Sequence, residues 1–89
     1  MQTQKLIIAN PRGLHARACA RIVDIADQCR CNLSLVANGR RVSARNIVAV
    51  MLLTASMGAT VRIEANGPDE EATMRDIAHL FRDGFGERR

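Results

Sequence analysis

The sequence predicts an α+β fold: an open-faced two-layer sandwich, β-α-β-β-α-β-α, with a four-stranded antiparallel sheet and three helices on one face. Three observations lead there. Two segments alternate apolar and polar residues with period two, as strands buried on one face do. Others repeat apolar residues at helical spacing. An Asn38-Gly39 pair between two short strand patterns marks a tight hairpin. With 89 residues, the chain has room for one hydrophobic core, so residues 1–89 are expected to form a single domain.

Taken in order, Lys5 to Ala9 reads as the first strand, closed by Asn10-Pro11 and Gly13. From His15 to Gln28, Ala18, Cys19, Ile22, Val23, Ile25 and Ala26 form one apolar face of a helix. The next strand sets Leu33, Leu35 and Ala37 against Asn32, Ser34 and Val36, and the hairpin leads into a short strand over Arg40–Ala44. Asn46 is a good N-cap for an apolar helix that runs on until near Gly58. Thr60–Asn66 alternates Val61, Ile63 and Ala65 inward against Thr60, Arg62 and Glu64. The last helix starts with Pro68 and three acids that suit the helix dipole, then puts Met74, Ile77, Ala78 and Phe81 on one face.

Composition removes several function classes. No apolar run is long enough to span a bilayer, and the polar opening Met1–Lys5 is no signal peptide, so no membrane insertion and a cytoplasmic location are expected. The three cysteines, Cys19, Cys29 and Cys31, form an odd set without a secretory signal, which predicts reduced thiols. Cys29 and Cys31 are too few and too close together for a zinc spacing by themselves. A site that adds His15 and Cys19, one helical turn apart, is conceivable but a loose match, and no metal or other cofactor is expected. The net charge of +4 rests on arginines, Arg88 and Arg89 among them, and suits anionic partners. Single-stranded nucleic acid is disfavoured, because Trp and Tyr are absent and both Phe residues lie near the C-terminus.

The chemistry concentrates at His15. A helix start leaves backbone N–H groups unpaired and carries partial positive charge, so it attracts anions. His15 stands at that start, and the positive end disfavours an imidazolium, leaving a neutral ring that is a nucleophile. A phosphoryl group on it would meet the N–H groups of Ala16 and Arg17, with Ala18 a further donor. The Arg17 side chain adds countercharge. No acid or base stands nearby in sequence to activate water, so the group is held and passed on rather than hydrolysed. From these residues alone, a capping histidine beside a solvated arginine is an equal reading.

The segments Arg12–Arg21, Asn38–Arg45, Asn46–Gly58 and Gly67–Glu87 together resemble the HPr family, the histidine-containing phosphocarriers of the bacterial phosphotransferase system. The resemblance runs in register from Lys5 to Glu87 and implies a sheet order of 1-4-2-3. It implies phosphorylation of His15 at Nδ1, stabilisation by Arg17, Enzyme I as donor and enzyme IIA domains as acceptors. Such a carrier forms a phosphohistidine intermediate and is not an enzyme of the ordinary turnover kind. It further implies docking through Ala16, Ala20, Ile47, Val48 and Met51, by a monomer.

Two residues depart from the family pattern. Ala18 stands where most relatives have proline, which would leave the Ala18 N–H free for water or phosphate. Asn46 stands where many relatives carry a regulatory serine; it keeps the cap and removes the hydroxyl. Arg21 and Arg45 read as solvated or partner-steering charges, Ser43 as a strand residue and His79 as solvated. The sugar-transport and nitrogen-related branches both fit. A regulator of the same fold, whose partner depends on His15 phosphorylation, is the main alternative, and comparing partners of wild type and His15→Ala separates the two. A small basic nucleic-acid-binding domain is the other, and steep salt dependence would mark it.

Overall fold

The hairpin forms where Asn38-Gly39 places it: both residues have positive φ, 51° and 74°, the backbone a two-residue turn of matching twist requires. It joins β2 (Asn32–Ala37) to β3 (Arg40–Ser43), with Ala37 opposite Arg40. The remaining strands are β1 (Gln2–Ile7) and β4 (Thr60–Asn66). All pairings are antiparallel and the sheet order is β1-β4-β2-β3. Helices α1 (Ala16–Gln28), α2 (Ile47–Met51) and α3 (Glu70–Arg82), with a 3-10 turn at Gly84–Gly86, complete the chain. This computed structural model describes residues 1–87. Arg88 and Arg89 lie outside the described residues.

One face of the sheet is covered. Leu33 and Leu35 of β2 and Val61, Ile63 and Ala65 of β4 point into a core completed by Cys19 and Ile22 of α1 and Ile77 and Phe81 of α3. Phe85 follows α3 and packs on Phe81 with ring centroids 4.8 Å apart, which turns the C-terminal tail back over the molecule. The opposite sheet face is polar, and there Glu64 lies 2.6 Å from Arg41 and 3.4 Å from Arg62.

Four sequence expectations are corrected, the first being the opening strand, which runs over Gln2–Ile7 and not Lys5–Ala9. The apolar segment after Asn46 does not stay helical to Gly58; α2 ends at Met51. Leu53 and Thr54 N–H bond back to Val50 and Met51 oxygens at 3.2 and 3.1 Å, which tightens the last turn, and Thr54 then takes a φ of 51°. The exposed carbonyls find other donors: Asn38 Nδ2 donates to Leu53 O at 2.6 Å, and Leu14 N–H to Ala55 O at 3.0 Å. A helix pattern cannot register such distant donors.

The thiols are not all free. Cys29 and Cys31 are joined as a disulfide with Cα atoms 5.4 Å apart, well within the usual range, and Cys19 alone is free and buried. The backbone reverses between α1 and β2, which brings the pair together. Arg45 is not simply solvated either: its guanidinium donates to Cys29 O at 3.0 Å and Cys31 O at 3.1 Å.

Candidate functional site

The turn before α1 is built on Asn10 and Gly13. Asn10 is buried, and its Nδ2 donates to Gly13 O at 2.8 Å. Gly13 has φ +65°, and a Cβ there would stand 2.6 Å from Ala55 O and 2.9 Å from Ser56 Cα. Only glycine fits both the conformation and the approach. The turn therefore seats against the segment after α2 and fixes the entry of the chain into α1.

His15 is the N-cap of α1, in extended backbone geometry, and its Nδ1 accepts from Arg17 N–H at 3.3 Å. The histidine ring is thus folded over the first turn, where Ala16, Arg17 and Ala18 have no carbonyl four residues earlier within the helix. Its other nitrogen, Nε2, is in hydrogen-bond contact with the Glu87 carboxylate. Asn10 Nδ2 also donates to both Glu87 oxygens, each at 3.1 Å. The two contacts divide the ring: Nε2 faces the carboxylate, and Nδ1, as an acceptor from Arg17 N–H, suits the tautomer with its lone pair over the helix start. The His15 ring N–H holds the Glu87 carboxyl below its ordinary value, with help from Asn10 and a weaker pull from Arg12.

Arg17 is exposed, and among the described residues no carboxylate pairs with its guanidinium. It stands one helical position from the Ala16 amide and two from His15. Ala18 is fully buried with its methyl in the core, so its amide is not open to water as the sequence suggested. Arg21, one turn further on, packs near Gly86 of the tail at 3.7 Å from where a Cβ would be, close to the Glu87 that meets His15.

The residues predicted for docking are at the surface. Ala16 is exposed, Ala20 is half-buried, and Ile47, Val48 and Met51 line the open side of α2. Val50 of α2 and Leu53 just beyond it face the core. Leu52 and Met57 extend the exposed apolar surface beyond the predicted set. α2 packs against α1, and the segment that follows α2 seats on the turn before His15, where Leu14 N–H donates to Ala55 O. Among the described residues, no three His, Cys, Asp or Glu side chains are placed to hold a metal ion. Cys29 lies past the far end of α1 from His15. No helix is long and apolar enough to cross a membrane among the described residues.

Sequence reasoning missed Glu87. It is 72 residues from His15, and no local spacing links them. The only signal was Phe85, an apolar residue between two glycines after the last helix, which marks a tail that must turn back to bury it.

An open-faced sandwich with a histidine capping a helix start, an exposed arginine beside it and an apolar rim defines a histidine phosphocarrier. The family model described as the PTS HPr component phosphorylation site matches residues 2–83, and the chain belongs to the HPr family. It is 40% identical to the phosphocarrier protein HPr of Xylella fastidiosa (strain 9a5c) over 98% of each chain. The structure of HPr from Thermoanaerobacter tengcongensis superposes with a TM-score of 0.94 at 31% identity, covering 100% of both chains. An HPr dimer from the same organism aligns at 32% identity and a TM-score of 0.77, over 98% of this chain and 100% of that one.

Proposed function

We propose that this protein carries phosphoryl groups in the phosphoenolpyruvate-dependent phosphotransferase system, on His15 Nδ1, with phosphorylated Enzyme I as donor and enzyme IIA domains as acceptors. The observation that carries the reading is the division of labour on one ring. Nε2 is held by Glu87 while Nδ1 lies over the first turn of α1.

In the transfer, the Nδ1 lone pair attacks phosphorus, the Nδ1–P bond forms, and the donor's bond to phosphorus breaks with its electron pair returning to the donor. Nδ1 gives up the Arg17 N–H, which turns to a phosphoryl oxygen together with the Ala16 amide. The Arg17 guanidinium supplies further charge to the equatorial oxygens. Because Nε2 keeps its proton, the phosphorylated ring becomes cationic, and the Glu87 carboxylate faces that charge. Transfer to the acceptor reverses these steps. Glu87 spends its oxygens on His15 and Asn10, which leaves no base to activate water and favours passage over hydrolysis.

Partners dock on the apolar rim of Ala16, Ala20, Ile47, Val48 and Met51, extended by Leu52 and Met57. One face serves donor and acceptor in turn, which suits a monomeric single domain over residues 1–89 acting in the cytoplasm. Asn46 caps α2 through its Oδ1, accepting from Ala49 N–H at 3.1 Å, and carries no hydroxyl for a serine kinase.

The test mixes the protein with phosphoenolpyruvate, magnesium and Enzyme I and records an intact mass. One acid-labile phosphoryl group, absent from His15→Ala and discharged by an enzyme IIA domain, is expected. No added mass with active Enzyme I and folded protein would overturn the reading.

A further inference from the structure

Past the C-terminal end of α1, away from His15, the backbone presents two cysteines in a form that the phosphocarrier reading does not use. Cys29 and Cys31 are bonded across a single residue. A cross-link that short closes almost no loop, so it removes few unfolded conformations and is a poor device for stability. Its setting is nonetheless firmly built. Arg45 clamps the carbonyls of both cysteines, and Arg30 N–H donates to Asp69 Oδ2 at 2.8 Å. Gly67 closes on the same strip, where a Cβ would come within 2.6 Å of Arg30 O and 2.7 Å of Cys31 Cα. These contacts hold the two Cα atoms together without any help from the sulfurs.

The pair is buried but lies close under the surface. Cys29 and Cys31 keep 9% and 8% of their surface exposed, whereas Cys19 keeps none. Both line an open surface groove of about 480 Å³ that also contains Arg30 and Arg45.

We propose that Cys29 and Cys31 are a reversible thiol–disulfide site, opened and closed by a low-molecular-weight thiol while the domain stays folded. The thiolate of one external thiol attacks a sulfur of the pair and breaks the Cys29–Cys31 bond, and the second cysteine leaves as thiolate and takes a proton. A second external thiolate attacks the mixed disulfide, releasing the remaining cysteine, which is protonated in turn. Two external thiols are oxidised to one small disulfide, and the protein gains two electrons and two protons. Arg45 is the residue before the N-cap of α2, so its clamp ties this redox loop to the start of the docking helix.

The test equilibrates the full chain in glutathione buffers from oxidised to reduced, quenches with acid, alkylates under denaturation and counts adducts by mass, with circular dichroism recorded before the quench. The protein has three cysteines, so one adduct is expected at the oxidised end and three at the reduced end. A single two-electron transition should join them at constant helix content. Cys29→Ser and Cys31→Ser should instead accumulate a mixed disulfide with glutathione. Three adducts in fully oxidised glutathione, one adduct in fully reduced glutathione, or opening only with loss of the helical signal would each overturn the proposal.

Discussion

His15 and Glu87 meet across the whole length of the chain, the imidazole Nε2 against the carboxylate, at a point where the C-terminal tail folds over the start of α1. The contact occupies Nε2, while Nδ1 lies over the first turn of α1. It also makes the tail part of the site, since Phe85 anchors in the core two residues earlier.

Replacing Glu87 with Gln keeps the shape and removes the charge. The cationic phosphorylated ring then loses its counterion, and phosphorylation of His15 should slow by on the order of tenfold, the scale of one charge-assisted hydrogen bond. Initial rates from Enzyme I followed by intact mass measure this. Helix content should not change. An unchanged rate would show that the tail is bystander structure.

Acid should release the tail before the domain unfolds. The Glu87 carboxyl is held below its ordinary value of 4.5 by His15 and Asn10. A depressed carboxyl contributes stability above its unfolded value and loses it as pH falls through the folded one. Resonances of Phe85 and Gly86 should therefore shift in an NMR titration below about pH 4.5. In Glu87→Gln that acid-side transition should be absent.

Gly13→Ala should destabilise the domain and displace His15. The left-handed φ alone costs about 1–2 kcal/mol for a non-glycine residue, and the added methyl meets the Ala55 and Ser56 backbone, which cannot swing aside as a side chain can. A lower urea midpoint with an unchanged slope is the expected outcome, together with a reduced phosphorylation rate in protein that is still folded.

The apolar rim should separate binding from stability. Val48 is 61% exposed, so Val48→Asp should change unfolding free energy by no more than about 0.5 kcal/mol. Transfer from Enzyme I should fall by tenfold or more, as expected for an interface residue worth over ~1 kcal/mol, with the loss in KM.

The parts of this fold that were legible in the sequence are those set by local periodicity and turn chemistry. Asn38-Gly39 determined a hairpin because few other pairs accept two positive φ angles, and the alternation of β4 settled its buried face. His15 as N-cap was visible because the cap is a local device. What escaped depends on contacts between distant segments. Asn38 Nδ2 ends α2 early at Leu53 O, Arg45 turns inward onto the Cys29 and Cys31 carbonyls, and Glu87 reaches His15 from the far end of the chain. None of these leaves a spacing that can be read along the sequence. The cysteine pair failed for a different reason: compartment arguments speak to equilibrium redox state, while the reversal after α1 decides whether the sulfurs can meet.

The most direct test is to phosphorylate protein carrying nitrogen-15 histidine with phosphoenolpyruvate and Enzyme I and identify the phosphorylated nitrogen by phosphorus–nitrogen coupling. Phosphorus on His15 Nδ1, with Nε2 still protonated, is the predicted result. Phosphorus on Nε2, or phosphorylation that leaves both His15 nitrogens unmodified, would contradict the account.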